Sequence, residues 1–163
     1  MTRSLVLTIL LGACAKASQE DSADSTSDWT LQESTEAGYT ALATGFDHSC
    51  AIDKEGAIQC WGKGGGEPRE DPLNTPDGLY TSLDAGMEFS CAVSTENRGK
   101  CWGDSTFGKT TSPNTPFFHI ATGYGHTCGI LENNEIDCWG WGGYEATVPP
   151  EGQFMEIHGG YHY

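Results

Sequence analysis

Cysteine, histidine and tryptophan recur together in this 163-residue sequence, in a pattern that could support several kinds of chemistry. Three times, a cysteine is followed ten positions later by a Cys-Trp-Gly triplet. The three pairs are Cys50 and Cys60, Cys91 and Cys101, and Cys128 and Cys138. Cysteines in pairs serve as zinc ligands, as redox or nucleophilic thiols, or as disulfides.

The spacing favours disulfides over zinc. Structural zinc sites usually pair cysteines that are about two to four residues apart, whereas these pairs enclose a longer segment with a turn residue in it. A thiol catalyst is disfavoured as well, because each of the six cysteines has a partner at the same spacing. We therefore expect three disulfides, one within each copy of the pattern.

The segment between each pair of cysteines predicts a β-hairpin. If Lys54–Gly56 forms a three-residue loop, Asp53 pairs with Ala57 and Cys50 with Cys60. Such loops favour a left-handed residue in third place, which glycine and asparagine tolerate best. The residues found there in the three copies are Gly56, Asn97 and Asn134. Opposed cysteines on antiparallel strands lie roughly 4.5–5.5 Å apart, within disulfide range.

The histidines and tryptophans of the pattern fit structural roles. His48 and His126 share one repeat position, but Phe89 stands there in the second copy. A catalytic or ligand role would not tolerate that exchange, so we predict that this position packs between neighbouring units. The tryptophans of the triplets, which are also expected in the core between units, are Trp61, Trp102 and Trp139.

Other aromatic residues lie in the linkers, outside the repeated pattern. They are Phe107, Trp141 and Tyr144. Because no repeat position explains them, we predict that they are exposed and serve in recognition.

The whole unit repeats, not the hairpin alone. Matching openings begin at Leu42, Leu83 and Ile120, and a fourth begins at Ile157. A period near 40 residues is typical of propeller blades. We expect repeats at 39–79, 80–116 and 117–153 and a partial one at 154–163, which together form a propeller domain over 38–163. By register the sequence stops inside the fourth motif. This predicts either a truncated fragment of a longer propeller or a module that completes itself by self-assembly.

The N-terminus predicts export. Arg3 precedes an apolar run, Leu5–Leu11, that is too short to span a bilayer. Leu11-Gly12-Ala13-Cys14 resembles the lipobox of bacterial lipoproteins, in which the cysteine is acylated. The resemblance implies a signal over 1–14 and a lipid anchor at Cys14; an ordinary secretory signal is the alternative. Residues 15–37 are polar and acidic, as in a flexible tether.

The charge excludes some function classes. The sequence has 23 acidic and 8 basic residues, a formal charge of −15. Nucleic acids and anionic lipids are bound by clustered lysine and arginine, so neither is an expected partner. The sequence contains no nucleophile elbow, phosphate loop or calcium loop. We predict no catalytic residue, no cofactor and no metal.

The repeats resemble those of the regulator of chromosome condensation family. The opening, the Gly or Asn turn and the Trp-Gly recur in register over 39–163. The cysteine pairs are similar to those of the exported, disulfide-containing bacterial branch. The resemblance implies an all-β fold, a partial propeller of about three four-stranded blades and the start of a fourth.

These observations predict an exported, lipid-anchored propeller that acts as a protein-binding or scaffold module at the cell envelope. We expect it at the outer membrane or cell surface, with a protein partner and no enzymatic activity. One alternative is an inhibitor of an exported hydrolase, and a second is an enzyme with an unrecognised acidic site.

Overall fold

The computed structural model describes residues 38–64 and 71–161. The predicted signal at 1–14, with Cys14, and the predicted tether at 15–37 lie outside the described residues. Within the described ranges, no helix is long and apolar enough to cross a membrane.

Within residues 38–64 and 71–161, nine strands form three separate antiparallel sheets, each a meander of three consecutive strands. Sheet 1 consists of β1 (Tyr39–Thr44), β2 (His48–Asp53) and β3 (Ile58–Gly62). Sheet 2 consists of β4 (Tyr80–Ala85), β5 (Phe89–Ser94) and β6 (Gly99–Gly103). Sheet 3 consists of β7 (Phe117–Thr122), β8 (His126–Leu131) and β9 (Ile136–Gly140). Each sheet is one repeat, so that the three sheets are three blades.

The hairpins have the predicted register. Cys50 pairs with Cys60 across β2 and β3, and the Asp53 amide donates to the Ala57 carbonyl at 2.9 Å. The third loop residues have positive φ angles: 93° at Gly56, 59° at Asn97 and 66° at Asn134. Each blade contains one disulfide, between the two opposed cysteines of its hairpin. The prediction of an all-β fold with disulfide-pinned hairpins is confirmed.

The core lies between sheets rather than within them. One buried cluster joins sheet 1 to sheet 2, and its larger members are Ile52, Ile58, Tyr80, Leu83 and Trp102. A second cluster joins sheet 2 to sheet 3 in the same way, through Phe89, Val93, Phe117 and Ile120 with the half-buried Trp139 against it. Sheet 2 therefore has one side that sheet 1 covers, called here its leading side, and one that sheet 3 covers, its trailing side. The equivalent sides of sheets 1 and 3 are given the same names.

Glycines let neighbouring sheets approach closely. A Cβ on Gly45 would stand 2.5 Å from the Gly86 carbonyl oxygen, and one on Gly86 would stand 2.5 Å from that of Gly123. The same relation links Gly123 to Gly160. A side chain at these positions would force the sheets apart, which explains why every repeat opening contains this glycine.

Backbone hydrogen bonds between blades also repeat. The amides of Tyr80 and Phe117 donate to the loop carbonyls of Gly56 and Asn97, each at 2.8 Å. Phe154 donates to Asn134 at 2.7 Å in the same manner. Residues 154–161 thus lie against sheet 3 where the first strand of a fourth blade belongs, although they form no strand.

Two expectations need correction. The blades have three strands each in the described residues, not the four that the family resemblance implied. The third strands end at glycines with positive φ (Gly62, Gly103 and Gly140), and two of the linkers that follow fold into short 3-10 turns instead of a fourth strand. Trp61 does not belong to the core. It is 49% exposed, because no preceding sheet lies against the leading side of sheet 1 in the described residues.

Candidate functional site

The linkers after β6 and β9 have the same local structure. Each forms a short 3-10 turn, at Thr106–Gly108 and Gly143–Glu145. The central residue of each turn is a large aromatic in the left-handed region, with φ of 65° at Phe107 and 55° at Tyr144. Bulky residues rarely adopt this conformation, and such strain is found most often at functional sites.

The two linkers bring their aromatic side chains together. Trp141 is at the centre, with its ring 6.3 Å from that of Phe107 and 5.5 Å from that of Tyr144. Tyr124 lies 6.5 Å from Trp141 and 4.8 Å from Tyr161, measured between ring centroids. These five residues are called the aromatic cluster below. The structure therefore places the three residues predicted for recognition in one surface group.

The cluster is largely open to solvent. Tyr144 is 78% exposed, and Phe107 and Tyr161 are also exposed, whereas Trp141 and Tyr124 are half-buried beneath them. Aromatic residues have a high propensity to contribute binding energy when a partner covers them.

Small residues make room for the cluster. A Cβ on Gly125 would stand 3.1 Å from the Trp141 Cβ and 3.3 Å from the Phe107 ring. The Trp141 indole also packs over Gly143, where a side chain would clash with it. The equivalents of Gly125 in the first two repeats are Asp47 and Glu88, so the third repeat leaves the most room for this packing.

A buried lysine anchors the linker that carries Phe107. Lys109 Nζ lies 2.7 Å from Asp104 Oδ2, donates to the Met87 carbonyl at 3.1 Å and stands 4.7 Å above the Phe89 ring. Burial tends to raise the pKa of Asp104, but the hydrogen bonds from Lys109 and Thr106 outweigh it and hold that pKa below its ordinary value. Asp104 is therefore ionised at neutral pH, and its ion pair with Lys109 fixes the linker to sheet 2.

The Lys109 backbone also holds sheet 3. Its carbonyl accepts from the Thr127 hydroxyl at 3.0 Å and from the Trp139 indole N–H at 2.9 Å. The linker that carries Phe107 is therefore fixed to both sheets, and the exposed Glu145 adjoins Tyr144 in the other linker.

The histidines of the repeats are structural in position. His48 and His126 are both buried, and His48 Nε2 lies 2.7 Å from Ser90 Oγ of the next sheet. Burial lowers the pKa of His48, although Asp47 and Asp71 oppose the shift. In the part of the chain that the structure describes, no group of three His, Cys, Asp or Glu side chains is placed to hold a metal ion.

One cavity lies away from the cluster. It encloses about 610 Å³ beside the first strands of the sheets, and its lining includes Leu42, Asp84 and His119. The Asp84 carboxylate accepts from the Thr122 amide at 2.6 Å and from its hydroxyl at 3.0 Å. Asp84 thus holds two sheets together in a way that already explains its position.

Sequence reasoning missed two members of the cluster. Tyr124 occupies a repeat position that holds Phe46 and Met87 elsewhere, and Tyr161 occupies the same position in the fourth unit. Two features of the sequence could have indicated them: aromatic residues recur at this repeat position, and glycine stands at position 125.

Comparison with known proteins agrees with this architecture. The family model of the regulator of chromosome condensation (RCC1) repeat matches residues 39–65 and 119–145. The chain therefore contains repeats of the RCC1 type, as the sequence predicted. No curated protein sequence matches the chain.

Solved propellers are similar in structure. The ectodomain of the Physcomitrella patens receptor kinase CR4 has 29% identity and a TM-score of 0.63 over 75% of this chain. The CRINKLY WD40 ectodomain of the Arabidopsis thaliana receptor kinase ACR4 has 22% identity and a TM-score of 0.58 over 76% of this chain. Yeast RCC1 (Prp20), in a structure with Kap60 bound, has 20% identity and a TM-score of 0.57 over 72% of this chain.

This chain spans only part of those proteins. It covers 36% of the CR4 ectodomain, 43% of the ACR4 ectodomain and 33% of yeast RCC1. The likeness to ACR4 and yeast RCC1 is one of fold.

Proposed function

We propose that this RCC1-repeat chain is an exported, lipid-anchored module that binds a protein partner through the aromatic cluster. The observation that carries the proposal is the convergence of Phe107, Trp141 and Tyr144 from two linkers onto one exposed surface. Two of these side chains are held on left-handed backbone, a conformation that costs free energy and that packing of the fold alone does not require.

The chemistry of the surface favours a protein. Exposed aromatic rings on a rigid base lose little side-chain entropy on binding, and a small number of such residues commonly provides most of the affinity of a protein interface. The exposed carboxylate of Glu145, next to Tyr144 in the chain, adds negative charge. The partner surface that fits is apolar at its centre, with lysine or arginine at its rim.

Export and anchoring are supported by the cysteines. Three disulfides within the blades are typical of proteins from oxidising compartments. Acylation at Cys14 would place the module at the cell envelope. The polar segment 15–37 would then let the module range roughly 25 Å from its anchor, the root-mean-square span of a flexible chain of that length.

The experiment is affinity capture from the envelope and culture supernatant of the source cells with the full chain as bait. We expect a discrete protein to be recovered by the wild type, and its recovery to fall at least tenfold with Tyr144→Ser or Phe107→Ser. The matched control is Phe118→Ser, which removes another exposed aromatic, from β7 and outside the cluster.

Two results would contradict the proposal. Equal recovery by the wild type and both cluster variants would show that the cluster is not the binding surface. Hydrolysis of a glycan or ester substrate by the purified chain, lost on substitution of one carboxylate, would favour an enzyme. If the captured protein is an exported hydrolase that loses activity in the complex, binding is confirmed and its purpose is inhibition.

A further inference from the structure

The leading side of sheet 1 is an apolar surface whose counterparts are buried in the other two sheets. Trp61 is 49% exposed, whereas the equivalent Trp102 is 8% exposed. Tyr39 and Leu42 are also exposed, whereas the residues in their places are buried. Those residues are Tyr80 and Leu83 in sheet 2 and Phe117 and Ile120 in sheet 3.

The buried interface between sheets 1 and 2 defines what such a surface contacts. There, Tyr80, Leu83 and Trp102 pack against the trailing side of sheet 1. The residues of that trailing side are Ala43, Cys50, Ile52 and Ile58. The interface is therefore one of Tyr, Leu and Trp against Ala, Cys, Ile and Ile.

Sheet 3 presents the same trailing side. At the equivalent positions it has Ala121, Cys128, Ile130 and Ile136. Three of these four residues line an open, mainly apolar cavity of about 280 Å³; they are Ala121, Cys128 and Ile136. The exposed leading side of sheet 1 offers the same three side-chain types, Tyr39, Leu42 and Trp61, that cover this surface in the first interface.

Hydrogen bonding repeats along with the packing. The indole N–H of Trp102 donates to the Pro72 carbonyl at 2.8 Å, and that of Trp139 donates to the Lys109 carbonyl. In the linker after sheet 3, Ala146 follows Gly140 at the same sequence spacing at which Lys109 follows Gly103. Its carbonyl is the equivalent acceptor, and Ala146 lines the same open cavity.

We propose that the leading side of sheet 1 binds the trailing side of sheet 3 of a second copy of this chain. The contact reproduces the Tyr, Leu and Trp against Ala, Cys, Ile and Ile of the interface between sheets 1 and 2, with the Trp61 indole donating to the Ala146 carbonyl. Because it joins two different surfaces, it is a head-to-tail contact. It goes beyond the proposed binding function, since it uses none of Phe107, Trp141 and Tyr144, the residues that carry that function.

One segment of the chain competes for this surface. Residues 154–161 lie where β1 of the second copy would lie, with Phe154 and Ile157 in the places of Tyr39 and Leu42. This segment brings no tryptophan, and both of its apolar side chains stay partly exposed. The second copy therefore displaces 154–161 and adds the indole that the segment lacks.

The test is co-capture of two differently tagged copies of the full chain, with Cys14→Ser in every sample so that acylation does not itself cause association. We expect the second copy to be recovered with the first and recovery to fall at least tenfold when both copies carry Trp61→Ser. Tyr144→Ser in both copies is the matched control and should leave recovery unchanged. Deletion of 154–161 should increase recovery.

Complementation makes the test independent of folding defects. Ile136→Glu in both copies should abolish association, because it damages the trailing side. A Trp61→Ser copy mixed with an Ile136→Glu copy should associate again, since the mixture retains one intact surface of each kind. Absence of co-capture, an equal loss with Tyr144→Ser, or failure of the mixed pair would overturn the proposal. None of these results depends on an outside partner, so the proposed binding function can fail or stand separately.

Discussion

At the scale of single residues, position in the repeat does not fix a residue's role; its neighbours do. Asp47, Glu88 and Gly125 share one repeat position, and at Gly125 the Trp141 and Phe107 side chains lie so close that a Cβ would fit only tightly. His48 and Phe89 share another position, and both are buried against the next sheet. Residue differences at equivalent positions of the repeats therefore indicate which variants the fold tolerates.

We predict that His48→Phe removes part of the pH dependence of stability. Burial lowers the pKa of His48 in the folded state below the ordinary value of 6.5. Above that pH the ring is neutral in both states; below it the unfolded chain binds a proton that the folded chain resists, so stability falls. Phenylalanine cannot titrate.

The measurement is denaturant unfolding of both proteins at pH 8 and pH 5. At pH 8 the variant should lose about 1 kcal/mol, because Ser90 loses its hydrogen bond to the histidine. The difference in unfolding free energy between the wild type and the variant should be smaller at pH 5. If this difference is the same at both pH values, or larger at pH 5, His48 is not the titrating group.

At the scale of elements, the hairpins could be predicted from the sequence. Whether another sheet covers each hairpin could not. Hairpin register depends on the few residues of a turn, and Gly56, Asn97 and Asn134 identify it locally. Burial of a tryptophan depends on what lies across the next interface. Three tryptophans in identical triplets were expected in the core, yet Trp61 is exposed, because no preceding sheet is present in the described residues.

We predict that Gly86→Ala destabilises the contact between sheets. The added Cβ would stand 2.5 Å from the Gly123 carbonyl oxygen and 2.6 Å from the Phe89 ring. This clash can be relieved only if the two packed sheets separate, which should lower the free energy of unfolding by about 3 kcal/mol.

Gly108→Ala is the matched control. Gly108 also has a positive φ, of 73°, but nothing lies within 4 Å of its added Cβ. We expect a cost of about 1 kcal/mol from the backbone alone. Chemical denaturation measures both variants, and a smaller loss for Gly86→Ala than for Gly108→Ala would contradict the close packing of sheets 2 and 3.

At the scale of the whole molecule, the fold class and repeat type could be predicted from the sequence, while the geometry of the proposed binding surface needed the structure. The period and the turn signals favour a propeller without reference to any long-range contact. The aromatic cluster combines a repeat position, Tyr124, with two linkers whose shared conformation was not predicted from the sequence. Only the geometry shows that Phe107 and Tyr144 meet at Trp141.

We predict that Cys14→Ser releases the protein from membranes. An acylated cysteine contributes roughly 0.8 kcal/mol per buried methylene, and serine cannot be acylated through sulfur. Cell fractionation should move the protein from the membrane pellet to the soluble fraction. Ser18→Ala, a comparably small change four residues further on, should have no effect; retention of the Cys14→Ser protein in the pellet would rule out this anchor.

The most direct test of the account is site-specific photo-crosslinking of the full chain in its source cells. A photoreactive phenylalanine analogue replaces Tyr144 in one strain and Leu79, an exposed residue of the preceding linker, in another. We predict a discrete protein adduct from position 144 and none from position 79. Absence of an adduct at 144, or the same adduct at both positions, would contradict the claim that the aromatic cluster is a protein-binding surface.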